Sequence, residues 1–235
     1  MRIKVKICGI TRLEDAKLAL ALGADEIGFI LAPSPRRVEP ETVRTILEAL
    51  KGDGGLHSSR PTPSFGSVGV FVNETSDAMR DIMIFAGLDA AQIHGDETPE
   101  TCAGFDFPWF RALRINGVDE ANRLVGAQWR CPRLLVDSAA RGMGGGTGDT
   151  IGTWAALAAG ALARGAGKGY FVAGGVRPRN VANFIHSLSP DGLDVSSGVE
   201  EAPGRKSAGK LEDLFREIGL AEAARGSEEV THAAR

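Results

Sequence analysis

The sequence is poor in cysteine and histidine and carries no excess of positive charge, and these shortages exclude several classes of protein. Its three cysteines lie far apart without CxxC spacing, which argues against a disulfide framework and a zinc knuckle. The four histidines are scattered and lack metal-ligand spacing, so we expect no bound metal. Lys and Arg number 27 against 30 Asp and Glu, a net charge of −3, and this balance excludes a basic surface for nucleic acid.

Long apolar runs are also missing. No run approaches the roughly 20 residues that a membrane span needs, and the first residues, MRIKVKICGI, do not resemble a signal peptide. Separated cysteines suit a reducing compartment. We therefore expect a cytoplasmic protein that binds neither membrane nor nucleic acid; monomer and homodimer both stay open.

Apolar, strand-like runs alternate with amphipathic segments of helical period along the whole chain. This alternation predicts βαβ units and a parallel sheet. Eight such units in 235 residues fit an α/β fold of one closed (β/α)8 TIM barrel better than an open doubly wound sheet. No GxGxxG motif follows the first strand, as a dinucleotide-binding fold would require. The predicted strands are Ile3–Cys8, Glu26–Leu31, Ser67–Val72, Ala90–His94, Trp109–Ile115, Leu134–Asp137, Tyr170–Ala173 and Gly192–Val195.

Two segments fall outside this pattern, a carboxyl-terminal tail and a long loop, and a glycine-rich run follows strand six. We assign residues 1–219 to one catalytic barrel domain and residues 220–235 to a mobile polar tail. Lys51–Gly66, rich in Gly, Ser and Pro, is typical of a long surface loop. The glycine-rich run Gly144–Gly148 is a candidate mobile lid.

The first strand carries a candidate catalytic thiol. Period-2 alternation places Lys6 and Cys8 on the face opposite the isoleucine and valine side chains that must meet the helices. A thiol at the carboxyl end of a barrel strand, beside a cation, can act as a nucleophile or a base. A small buried cysteine without a chemical role is the alternative. Strand eight closes onto strand one and carries Asp194, so we predict a buried Lys6–Asp194 ion pair.

The sixth strand ends in a candidate acid. Asp137 shares the parity of Leu135 and falls at the end of the strand. A carboxyl group and a thiol on nonadjacent strands suit an acid and a base on opposite sides of one substrate. A helix cap or loop carboxylate is the alternative. His94, at the end of strand four, is assigned no catalytic role, because a lone histidine is more often a hydrogen-bonded structural residue.

The loops after strands seven and eight predict a phosphate site. Gly174 and Gly175 allow backbone N–H groups to approach an anion, although one glycine pair can also make a mere turn. Ser196, Ser197 and Gly198 can supply further donors. Loops in these two adjacent positions form the usual phosphate site of a TIM barrel. We therefore predict a small phosphorylated substrate.

Two arginines follow the second strand in the segment SPRRV. Arg36 or Arg37 could hold a substrate carboxylate with two hydrogen bonds. A solvated loop arginine is the alternative. The residues alone do not decide between the two arginines.

Seven segments taken in order, from Lys6 to Lys206, resemble the phosphoribosylanthranilate isomerase family. They are KICGIT, SPRRV, VGVFVN, QIHGDE, LLVDS followed by GGTG, FVAGGVRPRNV and LDVSSGVEEAPGRK. The resemblance implies a (β/α)8 barrel of tryptophan biosynthesis. The implied reaction is the Amadori rearrangement of N-(5-phosphoribosyl)anthranilate to 1-(2-carboxyphenylamino)-1-deoxyribulose 5-phosphate.

The resemblance also implies roles for individual residues. Cys8 would be the general base, Asp137 the general acid and Arg36 the ligand of the anthranilate carboxylate. The phosphate would lie on the AGG and SSG loops, and we count Asp194 among the substrate-binding residues. No cofactor is expected, because the imine of the substrate serves as the electron sink.

Two alternatives stay open. One is a related phosphate-binding barrel that isomerises an aldose to a ketose in histidine biosynthesis. That family resembles two repeated half-barrels and has an Asp at the end of strand one, where this chain has Cys8. The other is a non-catalytic barrel that serves as a binding module. A turnover assay distinguishes them.

Overall fold

The protein forms a closed barrel of eight parallel strands in sequence order, with the last strand hydrogen-bonded to the first. The computed structural model describes residues 2–52, 66–115, 117–137 and 150–233. The expected (β/α)8 barrel is confirmed, and each predicted strand is present to within one residue at either end. The strands are β1 Lys4–Cys8, β2 Glu26–Ile30, β3 Gly66–Phe71, β4 Ala90–Ile93, β5 Trp109–Arg114, β6 Arg133–Asp137, β7 Gly169–Ala173 and β8 Gly192–Val195, followed by a two-stranded antiparallel hairpin of β9 Glu200–Ala202 and β10 Arg205–Lys206.

Helices connect the strands and surround the barrel. They are α1 Leu13–Leu22, α2 Pro40–Gly52, α3 Ser76–Ala86, α4 Pro99–Cys102, α5 Val118–Val125, α6 Thr150–Gly165, α7 Val181–Leu188 and α8 Ala208–Ala233. A 3-10 turn at Pro178–Asn180 leads into α7, and another at Ser197–Val199 follows β8. No helix over the described residues is long and apolar enough to cross a membrane.

The core has two apolar layers, as alternation along the strands requires. The larger layer lies between barrel and helices and contains Ile3, Val5 and Ile7 from the first strand segment. The smaller layer fills the barrel lumen and consists of Val68, Phe110, Ala112, Leu135, Phe171 and Ala173. Lys6 is fully buried on the opposite face of β1 from the isoleucines. The predicted orientation of β1 is therefore confirmed.

The amino-terminal end of the barrel is closed by an arginine. Arg133, the first residue of β6, donates to both carboxylate oxygens of Glu26 at 2.6 and 2.7 Å. Its guanidinium carbon lies 3.8 Å from the ring centre of Phe110 and 4.5 Å from that of Phe171. Cation–π contacts of this kind fill the lumen. The end of the barrel where the strands have their carboxyl termini is called the barrel mouth below, and it is the end at which a ligand is expected.

The carboxyl-terminal segment differs from the expected tail. Helix α8 continues past Gly219 to Ala233. Alanine and glutamate favour helix, Ala221 is buried in the core, and Glu222 Oε1 accepts a 2.5 Å hydrogen bond from the backbone N–H of Ile3. Residues 220–233 therefore continue α8, and the mobility expected of this polar segment stays a prediction.

The two predicted loops lie wholly or mostly outside the described residues. Helix α2 extends to Gly52 and β3 begins at Gly66, so both ends of the Lys51–Gly66 segment belong to regular elements. Positions 53–65 and the candidate lid Gly144–Gly148 fall outside the described ranges.

Candidate active site

The predicted site residues converge on the barrel mouth. Cys8 is the last residue of β1 and Asp137 the last residue of β6. Gly174 directly follows β7, and Ser196 directly follows β8. Because the strands are parallel and closed into a barrel, all four positions lie at the same end. Strands β7 and β8 separate the thiol strand from the acid strand.

Lys6 and Asp194 form the predicted buried ion pair. They lie opposite one another in the β1–β8 register, and Lys6 Nζ donates to Asp194 Oδ1 at 3.1 Å. Their side chains are 0% and 7% exposed. Gly28 on β2 makes room beside them, because a Cβ there would lie 2.9 Å from both Lys6 Nζ and Cys8 Sγ.

This arrangement sets the protonation of the candidate base. Burial raises the pKa of the Cys8 thiol, and the neighbouring Lys6 cation opposes that rise without cancelling it. Burial acts to lower the pKa of Lys6, but the Asp194 carboxylate and the Cys8 sulfur outweigh burial and raise it. Lys6 is thus held charged next to Sγ. A thiolate formed at Cys8 would meet a fixed positive partner.

Asp137 lies beside a histidine that sequence reasoning set aside. Asp137 Oδ2 is 3.5 Å from His94 Nε2, and both side chains are partly exposed. The other ring nitrogen, Nδ1, lies 3.2 Å from the amide nitrogen of buried Gln92. His94 Nε2, the ring nitrogen nearer Asp137, makes no hydrogen bond among the described residues. Gln92 and His94 are two residues apart at the end of β4, so their side chains lie on the same face of the strand. This spacing is the feature of the sequence that could have identified His94 as part of the site.

The loop after β7 has the backbone that an anion site needs. Gly174 and Gly175 have φ of 90° and 73°, values that glycine adopts without strain. Asn180 fixes the loop, because its Nδ2 donates to the Gly175 carbonyl at 3.0 Å and its Oδ1 accepts from the N–H of Arg177 at 2.8 Å. A Cβ at Gly175 would meet no atom within 4 Å. This surface of the loop is therefore open to a ligand.

The loop after β8 contacts the loop after β7 through Gly198. A Cβ at Gly198 would lie 1.8 Å from the carbonyl oxygen of Val176, so only glycine permits this approach. Gly198 belongs to the 3-10 turn Ser197–Val199, directly after Ser196. The two loops predicted to share a phosphate are thus in direct contact.

The structure distinguishes the two arginines after β2. Arg36 crosses above the end of β1, since a Cβ at Gly9 would lie 2.8 Å from Arg36 Cδ. Its side chain is 21% exposed and pairs with Glu200 at 2.7 Å. Arg37 is 49% exposed and pairs with Glu39 away from the lumen. Arg36 is therefore the arginine beside Cys8.

Two charged residues of the β9–β10 hairpin were not singled out from the sequence. Glu200 and Lys206 have side chains 4% and 0% exposed, and Lys206 Nζ donates to Glu200 Oε1 at 2.9 Å. The same ammonium donates to the carbonyls of Cys8 at 2.6 Å and Ser196 at 3.3 Å. Burial acts to raise the pKa of Glu200, but hydrogen bonds from Arg36 and Lys206 outweigh burial and lower it. Both residues belong to the segment LDVSSGVEEAPGRK, and its resemblance to the family is the feature of the sequence that could have identified them.

The barrel mouth therefore combines a thiol beside a buried cation, a carboxyl group, two contacting glycine-containing loops and an arginine. This set suits acid–base chemistry on a substrate with two anionic groups. Across the described ranges, no group of three or more His, Cys, Asp or Glu side chains could hold a metal ion.

Comparisons with known proteins agree on one family. A family model described as N-(5'phosphoribosyl)anthranilate (PRA) isomerase matches residues 5–217. The N-(5'-phosphoribosyl)anthranilate isomerase of Pelobacter propionicus is 40% identical over 215 residues, which cover 91% of this chain and 94% of that protein. The crystal structure of phosphoribosyl anthranilate isomerase from Thermus thermophilus is 37% identical, covers 93% of this chain and 99% of its own, and superposes with a TM-score of 0.73.

A further crystal structure holds a ligand. It is phosphoribosyl anthranilate isomerase in complex with reduced 1-(o-carboxyphenylamino)-1-deoxyribulose 5-phosphate. That protein is 29% identical to this chain, with a TM-score of 0.73 over 92% of this chain and 98% of its own. This chain belongs to the N-(5'-phosphoribosyl)anthranilate isomerase family.

Proposed function

We propose that Asp137 and Cys8 are the general acid and the general base with which this isomerase of tryptophan biosynthesis rearranges N-(5'-phosphoribosyl)anthranilate to 1-(2-carboxyphenylamino)-1-deoxyribulose 5-phosphate. Family membership supports the reaction. The position of both side chains at one barrel mouth, beside two contacting glycine-rich loops, carries the residue roles. The ligand of the related complex, a reduced form of the product, supports the substrate class.

The first step opens the sugar ring. Asp137 donates its proton to the furanose ring oxygen while the anilino nitrogen forms a double bond to the sugar carbon C1', and the C1'–O bond breaks. The product is a protonated Schiff base with a free C4' hydroxyl. His94, 3.5 Å from Asp137, lies where it can orient the carboxyl group. General acid catalysis by a positioned carboxyl group contributes on the order of 10²- to 10⁴-fold.

The second step transfers the hydrogen. Cys8 as thiolate removes the proton from C2', next to the imine, and the electron pair moves to nitrogen to give an enolamine. The enolamine then tautomerises to the ketone. The Lys6 ammonium faces Sγ and acts to lower the pKa of the thiol, against the larger opposing effect of burial. The imine accepts the electron pair, so the sequence of steps needs no cofactor.

Binding uses the anionic ends of the substrate. The phosphate is assigned to Gly174 and Gly175 together with the Ser196, Ser197 and Gly198 turn, where backbone N–H groups can surround it. The anthranilate carboxylate is assigned to Arg36, as a fork of N–H donors fits a carboxylate with two hydrogen bonds. Asp194 stays a predicted substrate-binding residue; its Oδ1 already accepts from Lys6.

The test is the loss of fluorescence when freshly prepared N-(5'-phosphoribosyl)anthranilate is mixed with the protein. Wild type should turn over, whereas Asp137→Asn and Cys8→Ala should be nearly inactive. Cys102→Ala is the matched control, because Cys102 is also a buried cysteine but lies on α4, away from the barrel mouth. Turnover only of the aldose substrate from histidine biosynthesis would favour the related isomerase, and binding without turnover would favour a binding module.

The cytoplasmic location and the oligomeric state are further predictions. A neighbouring structure concerns dimeric phosphoribosylanthranilate isomerase from Thermotoga maritima, 28% identical with a TM-score of 0.73. For this chain both monomer and homodimer stay open. Sedimentation equilibrium of the purified protein distinguishes the two masses.

A further inference from the structure

We infer that Glu200 is a positioning residue that holds Arg36 so that the outer edge of its guanidinium faces the substrate carboxylate, and that Lys206 fixes Glu200 in turn. This inference rests on the proposed function, since it concerns the arginine assigned to that carboxylate. Glu200 hydrogen-bonds Arg36, and Lys206 hydrogen-bonds the backbone carbonyls of Cys8 and Ser196; we assign neither residue a direct contact with the substrate. They act through Arg36 and through the backbone of the barrel mouth.

The hydrogen bonds of Arg36 leave one edge of its guanidinium for a ligand. Arg36 Nε donates to both oxygens of Glu200, at 2.8 and 2.9 Å, and Nη2 donates to Oε2 at 2.7 Å. A guanidinium has five N–H donors in a rigid plane. Glu200 uses the edge formed by Nε and Nη2. The edge formed by Nη1 and the second hydrogen of Nη2 takes no part in this pair and can bind a second carboxylate with two hydrogen bonds.

The two members of the pair differ in burial. The Glu200 side chain is 4% exposed, whereas that of Arg36 is 21% exposed. The Glu200 side of the pair is therefore inside the protein. The Arg36 side chain crosses Gly9, because a Cβ there would lie 2.8 Å from Arg36 Cδ, and it therefore lies at the barrel mouth.

Glu200 is itself fixed to the backbone of the site. Oε1 of Glu200 accepts from Lys206 Nζ at 2.9 Å and from the N–H of Gly204 at 3.3 Å. Lys206 Nζ also donates to the carbonyls of Cys8 and Ser196. These two carbonyls belong to the residue of the candidate base and to the start of the phosphate turn. The hairpin thus fixes the position of Arg36 relative to Cys8 and to the phosphate turn.

A fixed arginine binds at a lower entropic cost than a free one. A long arginine side chain loses rotamer freedom when it binds, and this loss weakens binding by roughly 2- to 12-fold for each side chain immobilised. Glu200 removes that loss before the substrate arrives. The alternative role is charge neutralisation, in which Glu200 competes with the substrate carboxylate for Arg36. The two roles predict opposite changes in KM when the Glu200 charge is removed.

The residue after Glu200 supplies a matched control. Glu201 lies on the same strand β9, but its side chain is 48% exposed and pairs with Arg205 on the surface. Glu201→Gln removes the same charge from the same hairpin without touching Arg36. We expect kcat, KM and thermal stability to be unchanged by it.

The experiment compares Glu200→Gln with Glu201→Gln in steady-state kinetics on N-(5'-phosphoribosyl)anthranilate, with inorganic phosphate as a competitive probe of the other anion site. Loss of this preordering of Arg36 predicts a rise in KM of roughly 2- to 12-fold for Glu200→Gln. The kcat and the Ki of phosphate should stay close to wild type. A Ki that rises in parallel with KM would show general damage to the barrel mouth and overturn the inference.

A double-mutant cycle tests whether Glu200 acts through the arginine. In an Arg36→Ala background, Glu200→Gln should raise KM no further, because coupled residues are not additive. If Glu200→Gln fails to fold, the double variant Glu200→Gln/Lys206→Met takes its place, because it removes both buried charges together. An unchanged or lower KM in active protein would refute the positioning role. Absence of turnover in wild type would instead refute the proposed function.

Discussion

Replacing Lys6 by methionine should strongly destabilise the barrel. The Lys6 side chain is fully buried, Asp194 is 7% exposed, and their charged atoms are 3.1 Å apart. Methionine removes the cation and leaves the carboxylate buried without a partner. Breaking a buried pair in this way costs about 3–5 kcal/mol of unfolding free energy. At about 2–4 °C per kcal/mol for a domain of this size, the Tm should fall by roughly 6–20 °C.

The chain offers a control and a rescue for this experiment. Lys4 lies on the same strand two residues earlier but is exposed, so Lys4→Met should change stability by less than about 0.5 kcal/mol. Lys6→Met/Asp194→Asn removes both charges and should recover part of the lost stability. Chemical denaturation in guanidinium, followed by circular dichroism, measures all three variants against wild type.

The pH dependence gives an independent check. The pKa of Lys6 is raised in the folded protein, because Asp194 and Cys8 outweigh the effect of burial. The pair therefore contributes its full stability at neutral pH and loses it only as pH rises through the raised pKa of Lys6, so the deficit of Lys6→Met should be full near neutral pH and shrink in strongly alkaline solution. If the unfolding free energy of Lys6→Met equalled that of Lys4→Met at every pH tested, this reasoning would be refuted.

Three further predictions concern activity. Cys8→Ala and Asp137→Asn should each lower kcat by at least about 10²-fold while the Ki of inorganic phosphate stays the same; near-normal turnover of either variant would contradict its assigned role. Gly175→Val should raise both KM and the phosphate Ki, because a side chain there blocks the open face of the loop. Gly167→Val is its control, since Gly167 has a similar φ of 68° and equally open surroundings but precedes β7 at the other barrel end; equal kinetic effects would indicate strain rather than a blocked site. Dialysis against a strong chelator should leave kcat and KM unchanged, and a loss restored by zinc, magnesium or manganese would contradict the metal-free mechanism.

Local pattern was sufficient to predict the barrel and most of its candidate site. A strand buried on both faces is a short apolar run, and eight such runs between amphipathic segments restrict the topology to few choices. Once the barrel is assumed, the carboxyl end of each strand is known, and Cys8 and Asp137 follow from the sequence position alone. The Lys6–Asp194 pair could be predicted although 188 residues separate its members, because closure of the barrel places strand eight beside strand one.

Other features depend on contacts that no local pattern encodes. Arg36 and Glu200 are 164 residues apart, and Glu200 lies beyond the last barrel strand, so strand order says nothing about their meeting. The same holds for the ammonium of Lys206 on the Cys8 carbonyl, which depends on how the β9–β10 hairpin folds back over the barrel mouth. The helix past Gly219 also needed the tertiary structure, because a polar segment is held in place there by a buried alanine and one hydrogen bond to the start of the chain. Periodicity reports which face of an element is buried, but a side chain's partner is decided by the path of the backbone in three dimensions.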